Sequence, residues 1–418
     1  MSWLLISSLQ YLYLWRAEVE PRRWLPLLVV IFIFGIIFKV PLLAAFTSML
    51  MVVIGLATWW QRHSLDGVTY RRKPHFRRSF PGEKVAMTVE VENRKILPIS
   101  WLRIRDPWPK AIGPEEDDFL APTHNPNQGL LTNVFSLRWY ERARRSFTLR
   151  FRQRGTYSVG PARLESGDLF GLYEKSAEHG PVEIFTVFPS LIPFEDLDLP
   201  AEDPFGDKRS RRRLYDDPNQ PIGVRDYHPE DSFRRVHWPA TARTGELQAK
   251  LYQPISANVM VVCLNVSTFP RHWEGTYPAL LEHLIKVAAT LVYKGIEDGY
   301  RVGLISNGCL AHAAQPFRIP PGRSPKQLAT LLEALAGVTP VVTAPFERFL
   351  IKEVPKLAYG ATLLIVTGVT TPELIERLSQ LKQKGRQITL LSCAQEPPPE
   401  IHGVRIFHRP FREVEDDE

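Results

Sequence analysis

The chain has 418 residues, 23% of them charged and 44% hydrophobic, with a net charge of +7. That length exceeds one ordinary compact domain, so two or three domains plus accessory segments are expected, and the composition excludes a disordered chain. Three widely spaced cysteines, Cys263, Cys309 and Cys393, exclude a disulfide framework or a zinc spacing and fit a reducing cytoplasm.

The apolar surplus is local. From Trp24 to Trp60 the only charge is Lys39. A single helix of that length would run about 55 Å at roughly 1.5 Å per residue, against a hydrocarbon core of about 30 Å. A break is therefore required, and Lys39 with Pro41 supplies it. The expectation is a transmembrane hairpin, Trp24 to Phe38 and Leu42 to Trp60, preceded by an interfacial helix over Trp3 to Trp15. Arg16, Arg22 and Arg23 before it, and Arg62, Arg71, Arg72 and Lys73 after it, place both ends in the cytoplasm. The run Arg71 to Arg78, RRKPHFRR, lies where anionic headgroups attract it, so the lipid membrane is one expected partner. No motif for nucleic acid accompanies these charges, and the tail EVEDDE is acidic.

Between Gly67 and about Phe194 apolar residues alternate in short runs: Val85 to Asn93, Ser100 to Asp106 and Ser146 to Gly155 read as half-buried strands. PGEK and NRKILP read as turns. The pattern predicts a β-sandwich of the immunoglobulin-like class without a cysteine staple. EEDD, Glu115 to Asp118, reads as a solvated loop, and the charge run from Asp207 to Asp217 as an exposed linker.

The stretch Val224 to Arg243, VRDYHPEDSFRRVHWPATAR, concentrates charge beside aromatics. Gly223 to Tyr227 alternates like a strand, which puts Arg225 and Tyr227 on one face. HPED makes a turn, Asp231 would cap a short helix, and Pro239 after Trp238 would end or redirect that element. Three readings stay open. Asp226 and Asp231 could neutralise arginines in a packed network, with Tyr227 and Trp238 filling a seam between domains; Arg234, Arg235, Arg243 and the aromatics could dock a protein; His237 among arginines could act as a neutral base or bind an anion.

From Ala257 onward, continuous apolar strands alternate with amphipathic helices. The strands are ANVMVVCLNV, RVGLIS, ATLLIVTG and QITLLSC; the helices are Tyr277 to Gly299, Ser324 to Gly337 and Thr371 to Gly385, with Ser324 and Thr371 as N-caps. Strands apolar on both faces predict a doubly wound α/β domain. Its ligand site would lie beyond the strand ends NVSTF, SNG and TGVT. Neither a dinucleotide fingerprint nor a phosphate loop occurs, and no nucleophile has a base beside it. Cys263 falls within a buried strand and reads as a core residue.

This arrangement resembles the von Willebrand factor type A fold, whose first strand normally ends in a carboxylate and two hydroxyls that ligate a divalent cation. Here Asn265, Ser267 and Phe269 stand in those places, and the later strand ends in Thr367 and Gly368 rather than an aspartate. Fewer anionic oxygens weaken Mg²⁺ binding, so no metal and no other cofactor is expected. Gly223 to Gln253 closely resembles the signature of the bacterial domain of unknown function fifty-eight family, through Gly223, Arg225, Tyr227, Asp231, Arg234 or Arg235, His237, Trp238, Ala242 and Arg243; Glu230 departs from its usual glycine. RQRGTYSVGPARLESGDLFG, Arg152 to Gly171, is similar to that family's lead-in. The resemblance implies a membrane-anchored protein partnered with a MoxR-type AAA+ ATPase.

The expected architecture is thus multidomain: an anchor over residues 1–64, a β-sandwich over 65–195, the signature over 196–255 and a von Willebrand factor A-like domain over 256–418. The expected function is a cytoplasm-facing scaffold or adaptor in a chaperone-like or maturation role, without enzymatic chemistry. A metal-dependent binder or an enzyme at the membrane face is the alternative.

Overall fold

The computed structural model describes residues 25–413, apart from 117–118, 169–173, 198–214, 230, 256–258, 272 and 312. The expected interfacial helix Trp3 to Trp15, most of the charged linker and Glu230 lie outside the described residues. Two compact units emerge: residues 1–153 with 157–185, and residues 154–156 with 186–418. The anchor thus groups with the first set of strands, and the signature with the α/β elements.

In the first unit, α1 (Leu25–Ile37) and α2 (Pro41–Ser64) meet at the predicted break, where Lys39 takes a positive φ of 53°. Gly35 allows the close approach of the two helices, since a Cβ there would lie 3.1 Å from the backbone nitrogen of Ala44. The expectation of two spans needs correction. Only α2, with 24 residues, is long and apolar enough to cross a membrane among the described residues. It spans about 36 Å, whereas the described part of α1 reaches about 20 Å at ~1.5 Å per residue.

The carbonyls at the end of α2 have lysine partners. Lys95 Nζ donates to the carbonyls of His63 and Ser64, and Lys175 Nζ donates to that of Arg62 at 2.6 Å. Both cations suit the negative end of the helix dipole. Burial pushes the Lys95 ammonium down to about 8; nearby Asp66 opposes that shift and Lys175 adds to it.

The strands that follow are β1 (Val68–Pro74), β2 (Arg78–Ser79), β3 (Lys84–Asn93), β4 (Ile99–Pro109), β5 (Leu120–Pro122) and β6 (Gln128–Leu137). Then come β7 (Arg142–Arg150), β8 (Gly155–Val159), β9 (Ala162–Gly167), β10 (Glu174–His179) and β11 (Glu183–Val187). One sheet has the order β1-β3-β7, a second β10-β9-β4-β6-β5, and the short β2, β11 and β8 form a third. Period-two alternation sends Val85, Met87, Val89 and Val91 of β3 inward. On its outer face Glu90 accepts from Lys73 at 3.0 Å and Arg144 at 2.9 Å, and those cations hold its carboxyl below the usual range. Glu92, bonded by Arg142 and then Arg94, is lowered to about 2.

The two larger sheets are joined through their inward faces by a buried charge. Asp106 of β4 is fully buried and accepts two bonds from Arg72 of β1, both at 2.7 Å. Tyr70 Oη and Trp108 Nε1 donate to the same carboxylate at 2.8 and 3.0 Å. Burial works against the Arg72 cation, but Asp106 outweighs it and holds the guanidinium above its ordinary value. The same cause, burial followed by the adjacent carboxylate, raises the Tyr70 phenol.

Within the basic run read as headgroup charge, Arg71 and Arg78 are exposed, and other members have partners in the first unit. Arg72 is inside, Lys73 pairs with Glu90, and Arg77 pairs with Glu183 at 3.2 Å.

The second unit opens with the signature: β12 (Tyr215–Asp226), α3 (Trp238–Thr244) and β13 (Gln248–Ile255). It continues with β14 (Val259–Leu264), α4 (Pro278–Glu297), β15 (Arg301–Leu310), β16 (Ala313–Gly322), α5 (Gln327–Ala336) and β17 (Val338–Val342). Last come α6 (Phe346–Glu353), β18 (Thr362–Thr367), α7 (Pro372–Gln383), β19 (Gln387–Ser392) and β20 (Arg405–His408). The large sheet runs β16-β15-β14-β18-β19-β20, with β15, β14, β18, β19 and β20 parallel, while β16 and β17 are antiparallel to β15.

Alternate residues of β14 face opposite layers. Val259, Val261 and Cys263 pack with Phe346, Phe349 and Leu350 of α6 and Leu374 and Leu378 of α7. On the other side Met260 meets α4, where a Cβ on Gly295 would lie 2.1 Å from its terminal methyl. The doubly wound pattern read from the sequence is therefore present. All three cysteines are buried and free, and burial raises the Cys263 thiol and pushes that of Cys393 up to about 12.

Replacing Asp106 with Ala leaves the Arg72 cation buried without its partner. The expected loss is about 3–5 kcal/mol, read as a lower urea midpoint for the purified protein, whereas Tyr70→Phe costs about 1 kcal/mol.

Candidate functional site

Two places concentrate polar side chains in the second unit. The first is the carboxyl edge of the parallel sheet, where β14, β15 and β18 end side by side. Asn265, just past β14, donates through Nδ2 to Thr367 Oγ1 at 3.0 Å and accepts at Oδ1 from the Ser267 N–H at 3.1 Å. Asn307 of β15 donates to Asn265 Oδ1 at 3.2 Å and to the Ala344 carbonyl at 3.2 Å, while its own Oδ1 accepts from the Val266 N–H at 2.9 Å. Thr367 Oγ1 passes its proton to the Val369 carbonyl at 2.7 Å. The four side chains of Asn265, Ser267, Asn307 and Thr367 are all buried.

The physical result is a closed amide and hydroxyl network at the position where the resemblance would put a cation. Its oxygens already accept N–H groups, and none carries a charge, so the donor set does not suit a hard dication. Among the described residues no cluster of three or more histidine, cysteine or acidic side chains could hold a metal ion. In front of the network lies a cleft of about 370 Å³ with Phe269, Arg271, Trp273, Arg348 and Glu373 on its walls. The SNG strand end gave a sequence signal for Asn307, which the structure places within β15, but its partners stand about forty positions away in the chain and only the parallel register brings them together.

The second place is the signature. β12 and β13 pair antiparallel, Arg225 opposite Ala249 and Asp226 opposite Gln248. Arg225 donates twice to Asp231, at 2.8 and 2.7 Å, and the His228 N–H donates to the same carboxylate at 3.0 Å. Tyr227 Oη donates to the Asp231 carbonyl at 2.9 Å, and its ring packs against Phe233. The shared face of Arg225 and Tyr227 thus converges on Asp231. The Arg225 bonds, and then the His228 N–H, hold that carboxyl below the usual carboxylate range.

Three local expectations are corrected. Asp231 closes the HPED turn and does not cap a helix; the cap of α3 is His237, whose Nδ1 accepts from the Ala240 N–H at 3.0 Å. A neutral ring in that role carries its proton on Nε2. Trp238 and Pro239 begin α3 and do not end an element, because proline fits the first turn of a helix. Asp226 takes Gln248 Nε2 at 2.8 Å and not an arginine.

The His237 N–H donates to the Gln248 carbonyl at 2.7 Å, and Thr241 Oγ1 accepts from the Gln248 N–H at 3.0 Å, so the cap and the middle of α3 are both tied to Gln248 at the start of β13. The aromatics point elsewhere. Phe233 is 67% and Trp238 63% exposed. Arg234 and Arg243 are exposed as well and have no ion-pair partner among the described residues, while Arg235 is half-buried. Of the lead-in motif, Arg154 forks onto Glu282 of α4 at 2.6 and 2.7 Å and donates to the carbonyls of Leu335 and Ala336 at the end of α5, both at 3.0 Å.

Residues 223–391 match the model of the family described as Protein of unknown function DUF58. Over that stretch, which is less than half of the chain, the sequence is similar to that family. The DUF58 region therefore begins at the signature strand and ends within β19, and it contains both places just described. The "Uncharacterized protein YeaD" of Bacillus subtilis is 22% identical over 297 residues, which are 70% of this chain and 68% of that protein. Among solved structures, the CARDB domain of the PF1109 protein from Pyrococcus furiosus, in complex with di-metal ions, is 17% identical over 29% of this chain and 89% of its own, with a TM-score of 0.19. A type II cohesin domain from the cellulosome of Acetivibrio cellulolyticus is 11% identical over 29% of this chain and 94% of its own, also at 0.19. Scores that low carry no argument about this chain.

Asn265→Asp would set a carboxylate oxygen against Thr367 Oγ1, whose proton is already given to Val369. The expected destabilisation is about 1–3 kcal/mol, measured as a lowered melting temperature in the presence of EDTA. For Asp231 the sign is that of a depressed acid. Its contribution is present above the unfolded value of about 4 and lost as pH falls through the lower folded value. Protection factors of residues 225–251, which are exchange rates corrected for the intrinsic slowing in acid, should therefore fall on acidification in the native protein, and Asp231→Asn should show low protection already at pH 7.

Proposed function

We propose that this protein is a membrane-anchored scaffold or adaptor that uses its signature hairpin to dock a protein partner, a MoxR-type AAA+ ATPase in a chaperone-like or maturation role. The β-rich unit is read as immunoglobulin-like and the α/β elements as von Willebrand factor A-like. The membrane is read as the bacterial inner membrane, with the bulk of the chain on the cytoplasmic side, where the basic flanks of the apolar segment belong.

One observation carries the reading. The polar residues of the hairpin, Arg225, Tyr227, Asp231 and His237, bond to one another and to their own backbone, which leaves Phe233, Trp238, Arg234 and Arg243 as an outward face on a braced frame. Exposed aromatics beside unpaired arginines are the side chains that dominate protein interfaces, and the charge favours an acidic partner surface. The closed amide network at the strand ends supports docking over metal-dependent chemistry.

The test is co-purification from membranes of the full chain with a co-expressed MoxR-type ATPase. Trp238→Ala with Phe233→Ala should reduce recovery more than tenfold while the melting temperature stays within a few degrees of the native value. Equal recovery from the double variant would remove the hairpin as the docking site, and absence of the ATPase from cross-linked native membranes would sink the adaptor reading.

A further inference from the structure

A larger cavity, of about 940 Å³, has as its walls the first turns of α4, the segment from Ile192 to Leu197, and the segment from His408 to Glu413. Two of those walls stand outside the DUF58 match, which ends at residue 391. The walls are fixed. Thr290 Oγ1 accepts from the Ile192 N–H at 2.9 Å, the Arg409 and Phe411 N–H groups donate to Ser392 and Cys393 at 2.9 and 3.1 Å, and the Phe411 ring sits against both Tyr277 and His283.

The polar groups in this cavity divide unequally. Among the acids, Glu282 is held by the Arg154 fork, and Glu413 accepts from Tyr277 Oη at 2.8 Å, which leaves Asp196. Among the cations, the ammonium of Lys286 and the guanidinium of Arg412 make no hydrogen bond or ion pair among the described residues, and Arg409 adds a third positive charge. His408 Nδ1 is buried without a hydrogen-bond partner. The first turn of the 20-residue α4 has no side-chain cap, so its N–H groups and dipole also favour an anion. Ile192, Leu197, Pro410 and Phe411 supply an apolar wall beside these groups.

We propose that this cavity binds a phosphate group carried on an apolar or aromatic body, with Lys286 and Arg412 as its charge partners, His408 as a hydrogen-bond partner and Phe411 against the body. A phosphate matches the site better than a carboxylate because its oxygens can reach the ammonium, the guanidinium and the helix amides at once. The ligand could be a free phosphorylated compound or a phospholipid headgroup, which present the same chemistry. His283 reports on occupancy. Burial, followed by Lys286 and Arg409, lowers its pKa in the empty cavity, with Asp196 and Arg412 facing from the other walls. A bound dianion opposes the effect of those cations and raises it, so His283 takes up a proton on binding and favours the complex as pH falls through its liganded value.

The experiment uses the full chain in detergent and titrates it calorimetrically with inorganic pyrophosphate and, separately, with a short-chain phosphatidic acid. Saturable binding of at least one probe is expected, weakened at least tenfold by Lys286→Ala and unchanged within twofold by Lys352→Ala on α6. If Lys286→Ala fails to fold, Arg412→Ala serves in its place. Tighter binding of the phosphatidic acid assigns the ligand to the membrane, and tighter pyrophosphate binding assigns it to a soluble compound. Flat titrations with both probes, binding in the cavity variants equal to the native protein, or an equal loss in Lys352→Ala would each overturn the proposal. None of these readouts depends on the ATPase, so the cavity and the docking hairpin stand or fall separately.

Discussion

A carboxylate inside a protein must be answered by a charge and by hydrogen bonds, and Asp106 sets that requirement for the first unit. Arg72 reaches it from the facing sheet with both ends of its fork, and Tyr70 and Trp108 fill the remaining lone pairs. Two sheets linked only by apolar contact could slide over one another; two sheets linked through one shared carboxylate have a single register. The close approach of Gly160 to the Arg72 guanidinium, where a Cβ would lie 2.7 Å away, shows how little freedom the surrounding chain has once that pair is formed.

The same economy recurs at the signature and at the strand ends of the second unit. Asp231 is held by Arg225 and a backbone N–H, and Asn307 ties the ends of three strands to the entry of α6. Groups held this way are poor acids, bases or ligands, because any reaction must first break bonds that keep the fold. The charge density of the signature is in this way largely used in holding the turn and the hairpin together. Chemistry needs a group with an unsatisfied valence and a partner in reach, and the hairpin offers instead a stiff frame with apolar edges turned outward.

Periodicity made much of this legible in the sequence. The apolar run with Lys39 and Pro41 located the two helices to within a few residues, and strands apolar on both faces located β14, β15, β18 and β19 because burial from two sides leaves no polar positions. Other elements left no such trace. β16 lies at the sheet edge and carries Pro316, Pro320 and Pro321, which an edge tolerates but which break a strand pattern. α6 has only eight residues, and the helix expected from Ser324 starts at Gln327 because Ser324 closes a turn before it. The Asn265 and Asn307 pairing was out of reach for the same reason that any register is: hydrogen bonds between residues distant in sequence follow from topology, and single-chain periodicity does not encode it.

The lysine-held end of α2 has a mechanical side. Only Leu65, Asp66 and Gly67 separate the apolar helix from β1, and Lys95 from the loop between β3 and β4 and Lys175 from β10 reach back to grip its last carbonyls. A linker that short, clamped at both sides, has no slack to absorb a twist. Force applied to the β-rich unit by anything that pulls or rotates it is therefore transmitted to the helix as torque, and a tilt of the helix in its surroundings is transmitted outward in the same way. The anchor behaves as a lever arm, not as a tether.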